Sequence, residues 1–299
     1  MSKDIKITTG KNFDRLPIKT FSFKMFVNNP AIVMVAKRGS GKSWVVRALL
    51  DHFRDIPMGC IISPTEEVNP FYGKFFPESY IHYEYKTEII ERVLKRQTKI
   101  KQKAVEKSLQ KKKVDTRCFI IMDDCLASKG AWIRDPALKT IFFNGRHSDI
   151  MYVLTMQFPL GITPELRGNF DYIFLLAEDQ ISNLKRIYDH YAGMFPTFDS
   201  FRQVFTQLTE DFGSMVIVNR GARSSFLEKI FFYKAPSLEK MSTVFGHKQF
   251  RDFHEANFDV DHAKRNEIWN ADEYILRKKQ NKSRIVVDKV YYDNEKKED

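Results

Sequence analysis

The run AKRGSGKS at residues 36–43 puts two glycines, a lysine and a hydroxyl at the spacing of a phosphate-binding loop. In such a loop successive backbone N–H groups and a helix N-terminus cradle a polyphosphate. The candidate contacts are Gly39, Ser40, Gly41, Lys42, Ser43 and Trp44. Lys42 would neutralise the β- and γ-phosphate oxygens of ATP, and the Ser43 hydroxyl would ligate Mg2+. The loop's usual first glycine is Ala36 here. Alanine is tolerable if that residue keeps strand-like dihedrals, whereas Gly39 and Gly41 stand where the turn needs room.

The second constellation is CFIIMDD at residues 118–124, an apolar strand that ends in two acids. Asp123 is placed to hold Mg2+ through water, and Asp124, on the opposite side of the pleat, to orient and polarise the attacking water. The alternative for Asp124 is a cap on the following turn. The strand at 150–157 ends on Gln157, polar where a buried strand would otherwise end apolar. Strand C-termini of a parallel sheet face the ligand crevice, so Gln157 can reach the γ-phosphate or the lytic water unless it only bonds local backbone. Arg146, in the run NGRH just before that strand, belongs to the opposite edge of the sheet and is poorly placed to act on its own subunit's ATP. It could reach the γ-phosphate of a neighbouring subunit as an arginine finger, or it could form a structural salt bridge. Arg167, Arg220 and Arg223 are weaker candidates by position.

These residues need a frame, and the apolar runs supply one. Candidate strands at 31–36, 58–63, 118–123, 150–157, 172–177, 215–219 and 230–233 alternate with helical stretches at 43–54, 86–113, 137–144, 181–191 and 198–209. Several strands are apolar almost throughout, as strands covered on both faces should be. The order is that of an α/β domain with a mainly parallel central sheet. Residues 1–21 read as a basic, polar lead-in, 22–235 as the core, and 236–299 as a C-terminal extension that is helical to about residue 276 and ends in a charged tail.

Composition bounds the rest. A chain of 299 residues with 43% apolar side chains can bury one large core, or one core plus a small appendage. The expectation is a soluble intracellular protein, without an apolar leader or a membrane span. Cys60, Cys118 and Cys125 are scattered through strand-like runs and read as reduced core thiols. The formal charge of +11 suggests an anionic partner, nucleic acid ahead of a membrane surface. Residues 92–113 hold ten Lys/Arg against one acid, Glu106, either as a DNA-facing insertion or as a solvated helix.

The set AKRGSGKS, CFIIMDD, NGRH and YVLTMQFPLGITPELRGNFDYIFLL resembles the genome-packaging ATPases of nucleo-cytoplasmic large DNA viruses, the poxvirus-type packaging ATPases of the FtsK–HerA class of P-loop motors. The resemblance covers roughly residues 22–235, and its most specific stretch is 144–176. It implies a RecA-like P-loop NTPase core, ATP and Mg2+ as cofactors, and a homo-oligomeric ring around double-stranded DNA. It also implies loading of a genome into a preformed capsid or portal vertex, at the assembly site in the host cytoplasm and in the virion. Under it Gln157 is the polar sensor and Arg146 the arginine acting in trans. Two other classes compete, a P-loop nucleotide kinase and a nucleotide-gated scaffold. A kinase should show an arginine-rich lid that the sequence lacks, and a scaffold would have little need of both Asp123 and Asp124.

Overall fold

Runs of β-branched and other apolar residues, too regular to bury on one face only, set the frame of the computed structural model, which describes residues 3–9, 12–221, 225–237 and 245–259. Two compact units divide the chain at 256/257, and the second lies almost wholly outside the described residues. The first contains, in order, β1 (Lys3–Thr9), β2 (Asn12–Ile18), β3 (Ala31–Val35), α1 (Lys42–His52), β4 (Met58–Ile62), β5 (Ile81–His82) and α2 (Thr87–Leu109). There follow β6 (Cys118–Asp123), α3 (Lys129–Trp132), α4 (Pro136–Asn144), β7 (Ile150–Met156), α5 (Pro164–Arg167) and β8 (Tyr172–Leu175). Last come α6 (Ile181–Tyr191), α7 (Phe198–Thr209), β9 (Gly213–Val218), β10 (Ile230–Lys234) and α8 (Lys248–Asn257), the last of which runs across the division.

β3 to β10 form one sheet in the order β10-β9-β8-β3-β7-β6-β4-β5. Neighbours from β8 to β5 are parallel, and β9 runs antiparallel to both β8 and β10. Strand residues alternate between two apolar layers, as the two-residue period demands. On one face Val33, Val35, Ile120, Met122 and Leu154 pack with Ile90 of α2, Leu138 of α4, Leu184 of α6 and Phe205 of α7. On the other, Ile32, Met34, Ile121 and Val153 pack with Val46 and Leu49 of α1 and with Phe21 and Phe250. Side chains of this size stabilise by roughly 1.5–3 kcal/mol each when fully buried, so the sheet is clamped from both sides.

Local signals set the helix ends. Asp135 caps α4 by accepting from the Ala137 N–H at 2.7 Å, with Pro136 as its first residue. Thr197 and Ser200 close a reciprocal capping box on α7. The helix expected over 86–113 stops at Leu109, because Lys111 takes a left-handed φ of 57° and the Lys112 N–H turns back to Lys107 O.

The basic, polar lead-in carries two strands. β1 and β2 pair antiparallel from Lys3↔Ile18 to Thr9↔Asn12, and the Lys19–Phe21 segment bonds the edge of β10 through Phe232. Charged residues set among Ile5, Ile7, Phe13 and Leu16 mask an alternating pattern. Of the extension expected at 236–299, α8 is described and most of the remainder, including the charged tail, lies outside the described residues. Among those residues no helix is long and apolar enough to cross a membrane.

Candidate nucleotide-binding site

β3 delivers the loop. Ala36 is buried and its N–H donates to Met156 O at 2.9 Å, one more rung of the β3–β7 ladder, so a residue with a Cβ fits there without strain. The turn is made by Gly39 and Gly41, whose φ values of 75° and 94° suit glycine. The Ser40 hydroxyl donates to Lys37 O at 2.7 Å and tightens the loop. Lys42 and Ser43 open α1, where the first N–H groups of a helix have no intrahelical acceptor and the macrodipole favours an anion. A cavity of about 1120 Å³ lies above them, lined by the loop, Trp44, Glu66, Tyr72, Asp123, Asp124, Gln157 and Phe212.

Three side chains converge on Lys42. Its Nζ is 3.1 Å from Asp123 Oδ1, pairs with Asp124 Oδ2, and is 3.4 Å from Thr155 Oγ1. Gln157 Nε2 donates to Asp124 Oδ2 at 3.1 Å. The two acids do not project to opposite sides of a pleat as expected. Asp124 has left the strand at φ 54°, ψ 33°, a left-handed conformation that Asp tolerates better than most residues, and both carboxylates therefore turn to the same lysine. The alternative of a cap is also set aside, since the Asp124 side chain makes no capping bond to the following turn. Its Oδ1 is buried and has no hydrogen-bond partner, an orphan acceptor suited to a water or to the solvent shell of a metal ion.

Three contributors were not anticipated. Thr155, fully buried on β7 and in register with Asp123, donates to Asp123 Oδ1 and accepts from the Asp124 N–H at 3.2 Å. Its only sequence signal is a hydroxyl inside an otherwise apolar strand. Glu66 is buried and accepts the N–H groups of Phe71, Tyr72 and Gly73 at 2.9, 3.0 and 2.7 Å, which fixes the wall of the cavity. Tyr72 stands on that wall. Burial first, and then the charge of Asp123, push its pKa well up, so it is a neutral hydroxyl at any ordinary pH.

Arg146 lies at the other edge of the sheet, separated from Gln157 by the length of β7, about 23 Å for seven residues. Its Nη2 is 3.0 Å from Asp171 Oδ1, and Arg220 reaches the same oxygen at 3.2 Å. Asp171 is 3% exposed while the Arg146 side chain is 49% exposed, so a buried acid holds a guanidinium that still faces solvent. Arg167 donates to Ile162 O at 3.0 Å and lies over the Tyr191 ring, and Arg223 lies outside the described residues. Cys60, Cys118 and Cys125 are all buried free thiols, and burial pushes the Cys60 pKa up to about 12.

A glycine-turned loop between β3 and α1, with β7 inserted between the loop strand and the acid-ended β6, makes this α/β protein a RecA-like P-loop NTPase. The sequence relations agree with that class. The chain belongs to the Poxvirus A32 protein family, which matches residues 13–190. It is 43% identical over 253 residues to the uncharacterized protein L437 of Acanthamoeba polyphaga mimivirus, across 85% of this chain and 88% of that one. It is 32% identical to protein 075L of Invertebrate iridescent virus 6, across 80% and 90%. Among solved structures, EssC (ATPases 2 and 3) of Geobacillus thermodenitrificans superposes with a TM-score of 0.51 at 13% identity, over 89% of this chain and 50% of that one. The genome packaging NTPase B204 of Sulfolobus turreted icosahedral virus 2 superposes at 0.49 with 14% identity, over 71% and 100%.

Proposed function

We propose that the chain is an ATPase that moves double-stranded DNA and packages a viral genome into a preformed capsid. The observation that carries the hydrolytic reading is the convergence of Lys42, Asp123, Asp124 and Gln157 at the mouth of the glycine-turned loop. The loop amides and Lys42 bind the triphosphate of ATP. Ser43 and Asp123 would hold Mg2+, which when bound offsets phosphate charge. The Asp124 carboxylate, with Oδ1 unpartnered and Oδ2 aligned by Gln157, orients the lytic water and takes up its proton. Thr155 keeps the two acids in register, and Gln157 senses the γ-phosphate.

Arg146 cannot reach that site within its own chain, and its exposed guanidinium, held by Asp171, fits a role in the site of a neighbouring subunit. The assembly is then a homo-oligomeric ring, with DNA threaded through it and a capsid or portal vertex as its seat. Family membership and a charge of +11 support DNA as the cargo. The test is phosphate release by the purified chain with Mg-ATP, expected to rise on adding long duplex DNA. A rate indifferent to DNA would remove the motor reading, and transfer of phosphate to a nucleotide acceptor would make the protein a kinase.

A further inference from the structure

The phosphate end of the site is marked by groups on β6 and β7, on one side of the loop strand β3. β8, β9 and β10 lie on the other side. A nucleotide whose terminal phosphate meets Lys42 and Asp124 therefore extends past the start of α1 toward the ends of β9 and β10. The same cavity continues that way, to Phe212 before β9 and to Lys234 and Ala235 at the end of β10.

Phe212 is unusual there in two respects. The residue is 62% exposed, an aromatic ring left open in the cavity mouth, and a Cβ built on Gly41 would meet the Phe212 Cβ at 3.4 Å, so the ring stands directly over the phosphate loop. Its backbone is also strained. Asp211 and Phe212 take successive left-handed φ values of 56° and 59°, which a bulky residue rarely adopts. The strain is enforced from both sides. A Cβ on Gly213 would fall 2.3 Å from Leu208 O, and Asp211 is tied to Lys234 at 2.8 Å. Packing gains little from so exposed a ring, whereas strain of this kind gathers at ligand clamps.

We propose that Phe212 is the nucleobase-stacking residue of the site, its ring fixed by the strained turn so that the base of the bound nucleoside triphosphate lies against its face. This deepens the nucleotide-binding reading and rests on it. A π face takes any base, so Phe212 contributes affinity and the placement of the triphosphate rather than selection among bases.

The test measures binding of Mg-ATP and of inorganic tripolyphosphate to the full chain and to Phe212→Ala and Phe212→Trp. Phe212→Ala should weaken ATP by roughly tenfold or more and leave tripolyphosphate unchanged, while Phe212→Trp should hold ATP within about twofold of the original. Equal losses for both probes would overturn the proposal, because the ring would then act by shaping the loop at Gly41, and so would undiminished ATP affinity in Phe212→Ala. If the unaltered chain binds neither probe, the nucleotide-site reading itself falls. If it binds tripolyphosphate and ATP equally well, only the stacking role does.

Discussion

Lys42 carries two loads at once, and they can be separated. In the proposed function it is a ligand for phosphate, and in this structure it neutralises two carboxylates whose side chains are 9% and 15% exposed. Lys42→Ala should abolish ATP binding and also destabilise the fold by about 3–5 kcal/mol, the range for stranding a buried charge. Calorimetric unfolding would show a midpoint lowered by several degrees, and adding Asp124→Asn should restore part of it. Asp124→Asn alone should keep ATP binding and cut turnover by orders of magnitude, since under the proposed mechanism it removes a group that acts on the water rather than on the phosphates. Near-normal turnover would take Asp124 out of the chemistry. Thr155→Val should lower turnover by roughly tenfold or more while Thr155→Ser preserves it, because the hydroxyl and not the methyl aligns the acids.

At the scale of elements, the strands that carry the site were readable because each is apolar on both faces and ends in a polar residue. Asp123, Asp124 and Gln157 could be found that way, and so could the loop from its spacing. The convergence of the acids could not, because it depends on the left-handed turn at Asp124. Thr155 and Glu66 stayed hidden because their partners come from other strands or from a folded loop, and the β1–β2 hairpin because charges interrupt its alternation. α2 makes its own prediction. It has no buried residue beyond Gln97, so its C-terminal half projects past the sheet edge that holds Arg146, tethered there by Lys101 to Asp149 at 3.4 Å. Lys95, Lys99 and Lys103 follow one another at helical spacing and are exposed. Changing them to Gln should reduce the slope of log affinity for duplex DNA against log salt by about 0.9 for each phosphate that the chain no longer neutralises. An unchanged slope would make this half of α2 a solvated face.

For the whole molecule, the ring proposed above would make activity a property of the assembly, because Arg146 stands at the edge away from its own Lys42. Specific activity should rise with protein concentration, as the neighbour's arginine becomes available. Arg146→Ala and Asp124→Asn, each inactive alone, should recover hydrolysis when mixed in co-assembled rings. Some interfaces then pair an intact Asp124 with an intact Arg146, and failure to recover would return Arg146 to a structural partner of Asp171. None of this yet requires that DNA moves. The most direct measurement is displacement of a third strand from a triplex on long linear duplex DNA by the purified chain. ATP should drive displacement while a non-hydrolysable analogue does not, and Asp124→Asn should hydrolyse nothing and displace nothing. Brisk DNA-stimulated hydrolysis with the third strand left in place would contradict a translocating motor.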